Sequence, residues 1–278
     1  MEPRGFTSIR FSLLGIRATV RVVRERRSGF DVRRQGGSRA RDPRRGPALS
    51  DRTPSVTAGD AVSVPREDRY HGFPDGFFTR FDDDDDGRFY DEPRLVQHID
   101  EGAIAAVREL YDELGLHGEV LDLCSSWVSH LARTPQRLVV LGMNAFELDQ
   151  NPQAHERVVH DLNREPTLPF GDACFDGAMC TVSVDYLVRP LEVFDEVARV
   201  LRPGAPFVCT FSNRCFPTKA IRGWLATDDE FHVRLVAEYF YRSVGWDEPR
   251  AQQRPTPWPG DPLYAVWAQR SRPGETVP

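Results

Sequence analysis

From Pro93 to about residue 270 the chain alternates short, unbroken apolar runs with longer stretches whose apolar residues recur at helical spacing. The runs are Glu119–Leu123, Arg137–Leu141, Arg157–His160, Phe175–Val182, Phe207–Phe211 and Leu263–Ala268. They are too short for helices and lack the polar alternation of half-exposed strands, so they read as strands buried on both faces. Between them, Val96, Ile99, Ala103, Val107, Leu110 and Leu114 predict a helix that starts at Pro93 and stops at Gly115. A second helix runs from Pro190 to Leu201, with Leu191, Phe194, Val197 and Leu201 on one stripe and Arg202-Pro203-Gly204 as its stop. A third, Asp228–Arg242, carries Phe231, Leu235, Val236, Tyr239 and Phe240 as core positions. Buried strands alternating with amphipathic helices demand an α/β, doubly wound, mainly parallel sheet.

Such sheets bind ligands beyond the carboxyl ends of the strands, where the strand order reverses. The first strand ends in Asp122-Leu123 and continues as Cys124-Ser125-Ser126-Trp127-Val128-Ser129-His130. Gly142-Met143-Asn144, His160-Asp161-Leu162-Asn163 and Thr181-Val182-Ser183-Val184-Asp185-Tyr186 follow the next three. This polar rim on an apolar sheet suits a nucleoside-like ligand.

Composition narrows the class. No run approaches the ~18 apolar residues of a membrane span. The five cysteines form no CxxC pair, which argues against a disulfide framework or a structural zinc and for reduced thiols in the cytoplasm. His155 and His160 have no metal-ligand spacing with a cysteine or another histidine, so no metal is expected. Residues 1–50 hold 13 Arg and 4 acids, whereas the other 228 residues hold 23 basic and 38 acidic residues. Lys219 is the only lysine. An acidic, lysine-poor body fits either a high-salt surface or a coding bias towards Arg. Asp82, Asp84, Asp86 and Gly87 match the opening of a calcium loop, but the closing position falls on Pro93, which cannot be a bidentate carboxylate, so a solvated acidic loop is expected.

There is no G-x-S-x-G elbow, no Walker phosphate loop and no glycine-rich dinucleotide fingerprint. Three segments together resemble class I S-adenosylmethionine (SAM)-dependent methyltransferases. Val120-Leu121-Asp122-Leu123 resembles the first motif. Leu168-Pro169-Phe170 through Phe175-Asp176 resembles the stretch entering the fourth strand, and Glu196-Val197-Ala198-Arg199-Val200-Leu201-Arg202-Pro203-Gly204 resembles the helix-to-strand signature. The resemblance covers about residues 93–270. It implies a seven-stranded Rossmann-like sheet, SAM as cofactor and methyl transfer to a small-molecule acceptor. A silent, methyltransferase-like binding or scaffold protein is the alternative. The chain departs from the family where G-x-G-x-G should follow the first motif: no glycine occurs between Glu119 and Gly142.

Carried over residue by residue, the resemblance implies a cofactor site of Asp122, Cys124, Ser125, Ser126, Trp127, Asn144, Asp161 and Leu162. Trp127 either packs over the ligand, fills its space or plugs the core beneath the loop. Asn144 stands where the family usually has a ribose-binding acid, with Glu147 one turn later as a substitute. Asp161 meets the adenine or caps a turn. Asp185, Tyr186 and His130 are the candidate bases if the acceptor must lose a proton. Asn213, Arg214 and Lys219, after the fifth strand, are candidates to hold an anionic acceptor, although Pro217 there also suits a helix start.

Four segments are expected: an Arg-rich disordered tail over 1–65, an acidic loop and helix covering the site over 66–115, the SAM-binding core over 116–270, and a frayed end over 271–278. The tail also reads as a nucleic-acid arm, as a targeting peptide over Phe6–Val23, or as a misassigned start. No nucleic-acid partner is expected except through that tail, and no membrane partner is expected.

Overall fold

The computed structural model describes residues 6–13, 16–23, 69–257, 259–272 and 274. Nine strands form one sheet: β1 (Phe6–Leu13), β2 (Ile16–Val23), β3 (Glu119–Leu123), β4 (Arg137–Gly142), β5 (Glu156–Val159), β6 (Gly177–Thr181), β7 (Pro206–Phe211), β8 (Arg250–Arg254) and β9 (Leu263–Gln269). Their order is β1-β2-β8-β9-β7-β6-β3-β4-β5. The pairs β5–β4, β4–β3, β3–β6 and β6–β7 are parallel, and β9 runs antiparallel between β7 and β8. Strands β3–β9 form the expected seven-stranded, mainly parallel sheet. β1 and β2 extend it: they pair antiparallel with each other, and β2 lies parallel to β8. These two strands fall inside the segment read as a tail; the rest of that segment lies outside the described residues.

Among the described residues, six helices accompany the sheet: α1 (Asp86–Tyr90), α2 (Glu101–Glu113), α3 (Ala145–Asp149), α4 (Pro190–Val200), α5 (Arg222–Leu225) and α6 (Asp229–Arg242). Successive residues of each central strand serve opposite faces, as the two-residue period of a strand requires. Leu121, Leu123, Val139, Leu141 and Phe207 pack on one side with Phe194, Tyr239 and Phe240 of α4 and α6. Val120, Leu138, Val140, Met179 and Val208 pack on the other with Ile104, Val107, Leu110 and Tyr111 of α2.

The helix expected from Pro93 begins only at Glu101. Asp100 caps it by accepting from Ala103 N (2.9 Å) and also holds Asp261 N (2.7 Å). Residues 91–99 instead run as an irregular strap. Strand β8 escaped the apolar pattern because it reads Arg-Ala-Gln-Gln-Arg. Its buried Arg254 is neutralised by Glu113 (2.9 Å) on α2, so polarity there is compatible with burial.

Ahead of the strap, Tyr70, Phe73, Phe77 and Phe78 pack ring to ring, with centroids 4.9–6.4 Å apart, and dock on α5 and α6. Gly223 of α5 lies so close beneath the Phe77 ring that an added methyl would overlap it. Gly223→Ala is therefore expected to cost about 1–3 kcal/mol of stability, measured by denaturant unfolding. An unchanged midpoint would mean that this aromatic segment is not held on α5.

Candidate functional site

Strand order reverses at β3, which lies between β4 and β6. Beyond the carboxyl ends of β3, β4, β5 and β6 lies a cavity of about 1160 Å³, including space open to solvent. Its remaining walls come from α1, the strap and Phe216 in the loop after β7.

The glycine-free loop after β3 is held by hydroxyls. Asp122, 2% exposed, accepts from Ser125 Oγ and Ser129 Oγ, both at 2.6 Å. Burial pushes its carboxyl up to about 7 even though both hydroxyls favour the ionised form. Cys124 takes φ +52°, a conformation usual for glycine, and the Ser125 N–H donates to Leu141 O at 2.8 Å. The glycine needed for this close approach sits on the opposing strand: a side chain at Gly142 would run into the Ser125 carbonyl. Ser126 Oγ donates to Glu147 Oε2 (2.5 Å) and Trp127 Nε1 to Val96 O (3.1 Å), so the loop is tied to α3 and to the strap. Trp127 is half-buried in the cavity wall and is not a core plug. His130, 6% exposed, lines the cavity, and its Nδ1 has no hydrogen-bond partner among the described residues. Burial, aided by Arg108 and His98, lowers it to about 4, so it is a neutral imidazole at physiological pH.

The other strand tips divide into residues that face the cavity and residues the fold consumes. Leu162, Asp161 and Tyr186 line the cavity. Asp161 Oδ1 caps its own turn, accepting from Asn163 N (2.9 Å) and Arg164 N (3.2 Å), while no hydrogen bond reaches Oδ2 among the described residues. Tyr186 stacks on Phe216 at 5.9 Å, and its hydroxyl accepts from Phe216 N (2.8 Å). Asn144 lines the cavity, but each of its side-chain polar atoms is already hydrogen-bonded to the chain. Its Nδ2 donates to Tyr90 O (2.7 Å) and Asp91 O (3.0 Å), and its Oδ1 caps α3 at Glu147 N (3.0 Å). Glu147 is engaged too, by Ser126 and by the Arg94 N–H (2.6 Å). Asp185 is not part of the wall. It is buried in a single 3₁₀ turn, where desolvation raises its carboxyl to about 8.

The three expected acceptor contacts are also elsewhere. Asn213 and Arg214 are exposed outside the cavity, and Arg214 pairs with Asp261 at 3.1 Å. Pro217 starts no helix; a turn follows it. Lys219 is fully buried. Its Nζ lies 3.1 Å from both Asp82 Oδ2 and Asp86 Oδ1 and donates to Asp84 O (3.0 Å) and Asp82 O (3.3 Å). An ammonium group thus sits where a calcium-loop reading of Asp82–Asp86 would put a cation. Arg80 grips both oxygens of Asp86 (2.7 and 2.8 Å). Asp86 in turn accepts from Asn163 Nδ2 (2.9 Å), and Asn163 Oδ1 receives Val188 N (2.9 Å). This cluster pins the acidic loop to the β5 and β6 ends. The pattern of apolar residues could not have found Arg94 or Phe216, because they reach the cavity from the strap and from the loop after β7.

Lys219→Met strands Asp86 and Asp82 opposite Arg80 alone and is expected to cost about 3–5 kcal/mol. Equilibrium unfolding checks this; a loss below ~1 kcal/mol would show that the ammonium does not fasten the loop. The pH behaviour of Asp122 has a definite sign. Its folded value lies above the ordinary 3.8, so its contribution to stability is intact in acid and is lost as pH rises towards 7. Asp122→Asn removes that dependence. The variant should gain on the parent by about 4 kcal/mol between pH 4 and pH 8, read from paired denaturant titrations; a pH-independent gap would contradict it.

Comparison with known proteins bears on this site. Residues 126–209 match a family model described as a methyltransferase domain. No curated protein matches the chain. Among solved structures, the complex of the Haloferax volcanii Trm112 methyltransferase activator with its putative methyltransferase aligns at 14% identity and TM-score 0.46, covering 63% of this chain and 92% of that one. A SAM-dependent methyltransferase from Aquifex aeolicus aligns at 14% identity and TM-score 0.43, covering 66% and 97%. At this level the likenesses say nothing of substrate. The matched segment spans the β3 loop, β4, β5, β6 and most of β7, and the signature segments lie at the expected strand ends. Residues 126–209 are thus similar to methyltransferase domains.

Proposed function

We propose that the protein is a class I SAM-dependent methyltransferase and transfers a methyl group from SAM to a small-molecule acceptor inside this cavity. The observation that carries the reading is the charge of the wall formed by the β3, β4 and β5 ends. Glu147 and Asp161 supply that charge, whereas buried Asp122, raised to about 7, is only partly ionised at neutral pH; none of the three forms an ion pair among the described residues. Such a wall suits a cofactor with net positive charge. Bound there, SAM supplies a sulfonium-activated methyl group, so the chemistry asks mainly for positioning.

The residues then divide the work. Asp161 Oδ2 and the Leu162 side chain hold the adenine, and Asp122 with the Ser125–Ser126 loop faces the amino-acid end. Neutral His130 offers a hydrogen bond without adding a positive charge beside the sulfonium. Strap and α1 close over the site and exclude water, which favours a small acceptor over a macromolecule. Five free cysteines support a reducing, cytoplasmic setting. One observation favours the silent-scaffold reading instead: Asn144 gives both Nδ2 hydrogens to the chain and its Oδ1 already caps α3, so a ribose meets no free donor and an acceptor that is already in use.

Calorimetric titration of the full chain with SAM and with S-adenosylhomocysteine, in low and high salt, separates the two. Micromolar binding is expected, weakened about tenfold by Asp161→Asn, which keeps the turn-capping oxygen and removes the free one; tenfold corresponds to ~1.4 kcal/mol. A folded protein that gives no heat with either ligand in either salt would leave the scaffold reading standing.

A further inference from the structure

We propose that the strap side of the cavity binds the carboxylate of a planar, aromatic methyl acceptor through the Arg94 guanidinium. Arg94 is half-buried and lines the cavity, and it forms no ion pair with any described carboxylate. Its guanidinium donates to Glu92 O (3.2 Å) and lies over the Phe89 ring at 4.4 Å and the Phe216 ring at 5.8 Å. A planar guanidinium presents five donors, and one carbonyl uses few of them.

The other charges of the wall are already answered or are negative. Asp86 is saturated by Arg80, Lys219 and Asn163, Glu147 is engaged by Ser126 Oγ and the Arg94 main-chain N–H, and Asp122 and Asp161 lie towards the cofactor side. Arg94 is therefore the lining cation with donors left for a ligand. A monoanion matches it; a dianionic phosphate would face the nearby carboxylates. The rings around it set the shape of the rest. Phe216 carries His98 on one side at 5.3 Å and Tyr186 on another at 5.9 Å, and Tyr90 adds a further wall. Flat faces beside a fork of donors fit an aryl carboxylate, held by a bidentate pair at one end and by ring contacts along its length. Arg94 then serves to position the acceptor.

The proposal rests on the methyl-transfer reading only for what happens after binding, and the experiment keeps the two apart. The full chain is titrated with 4-hydroxybenzoate and with the uncharged, equally shaped 4-hydroxybenzamide, each with and without S-adenosylhomocysteine. The acid is expected to bind at least tenfold more tightly than the amide. Arg94→Gln should bring the two within twofold of each other, and Arg94→Lys should keep part of the preference. Affinity for S-adenosylhomocysteine should stay within twofold in both variants. Equal affinities in the parent, no binding of either probe, or a preference that survives Arg94→Gln would overturn the assignment. Lost affinity for S-adenosylhomocysteine in Arg94→Gln would also overturn it, because the guanidinium would then serve the cofactor's own carboxylate. A benzoate preference in a protein that does not bind S-adenosylhomocysteine would support the anion site and sink methyl transfer.

Discussion

The fully buried ammonium of Lys219 is the contact on which the shape of the site depends. A lone lysine with no exposure needs full compensation, since an unpaired charge in the interior is costly. The acidic turn supplies it with two carboxylates and two main-chain carbonyls. Arg80 and Asn163 complete the shell around Asp86, which is itself 5% exposed. Through this cluster a segment remote in sequence from the sheet becomes a wall of the cavity. The run of aspartates is thus partly interior: Asp86 is buried and Asp82 is half-buried, while Asp83, Asp84 and Asp85 face solvent.

The second constraint is the contact between the loop after β3 and the end of β4. Glycine-rich loops let backbone approach a ligand closely. Here the approach is made between two protein segments, and the glycine is on β4 at residue 142. Serine hydroxyls then organise the loop around a carboxyl whose burial keeps it near neutral. This arrangement gives a stiff, polar loop at the switch point without the family's glycines. It leaves Cys124 in an αL conformation that the neighbouring hydrogen bonds must hold.

The cavity also separates charge. Among the described residues, its β3–β5 wall carries carboxyl groups without cationic partners, and the strap carries a guanidinium without a carboxylate partner. The strap is fastened at its start, where Asn144 and Glu147 hold residues 90–94, and further along by Trp127 at Val96. Asn144 and Glu147, the residues that the family resemblance would give to a ribose, are therefore clasps of the strap.

The amino-acid sequence by itself determined the sheet, because buried parallel strands need unbroken apolar runs and their helices need one apolar stripe. Glu119–Leu123, Arg137–Leu141, Phe207–Phe211 and Pro190–Leu201 were legible for that reason. Asp122, Asp161 and Leu162 could be placed as well, since a residue at a strand end is located as soon as the strand is. Only the tertiary structure decided which polar groups remain for a ligand. A hydrogen bond uses up a donor or acceptor, and its partner can lie far away in the chain, as Asn144 meets Tyr90 and Lys219 meets Asp82. The same long-range pairing hid β8, whose arginine is buried by helix carboxylates, and it turned the expected helical start at Pro93 into a strap. Local pattern reports which side chains seek burial; the partners that satisfy the polar ones come together only when the chain closes on itself.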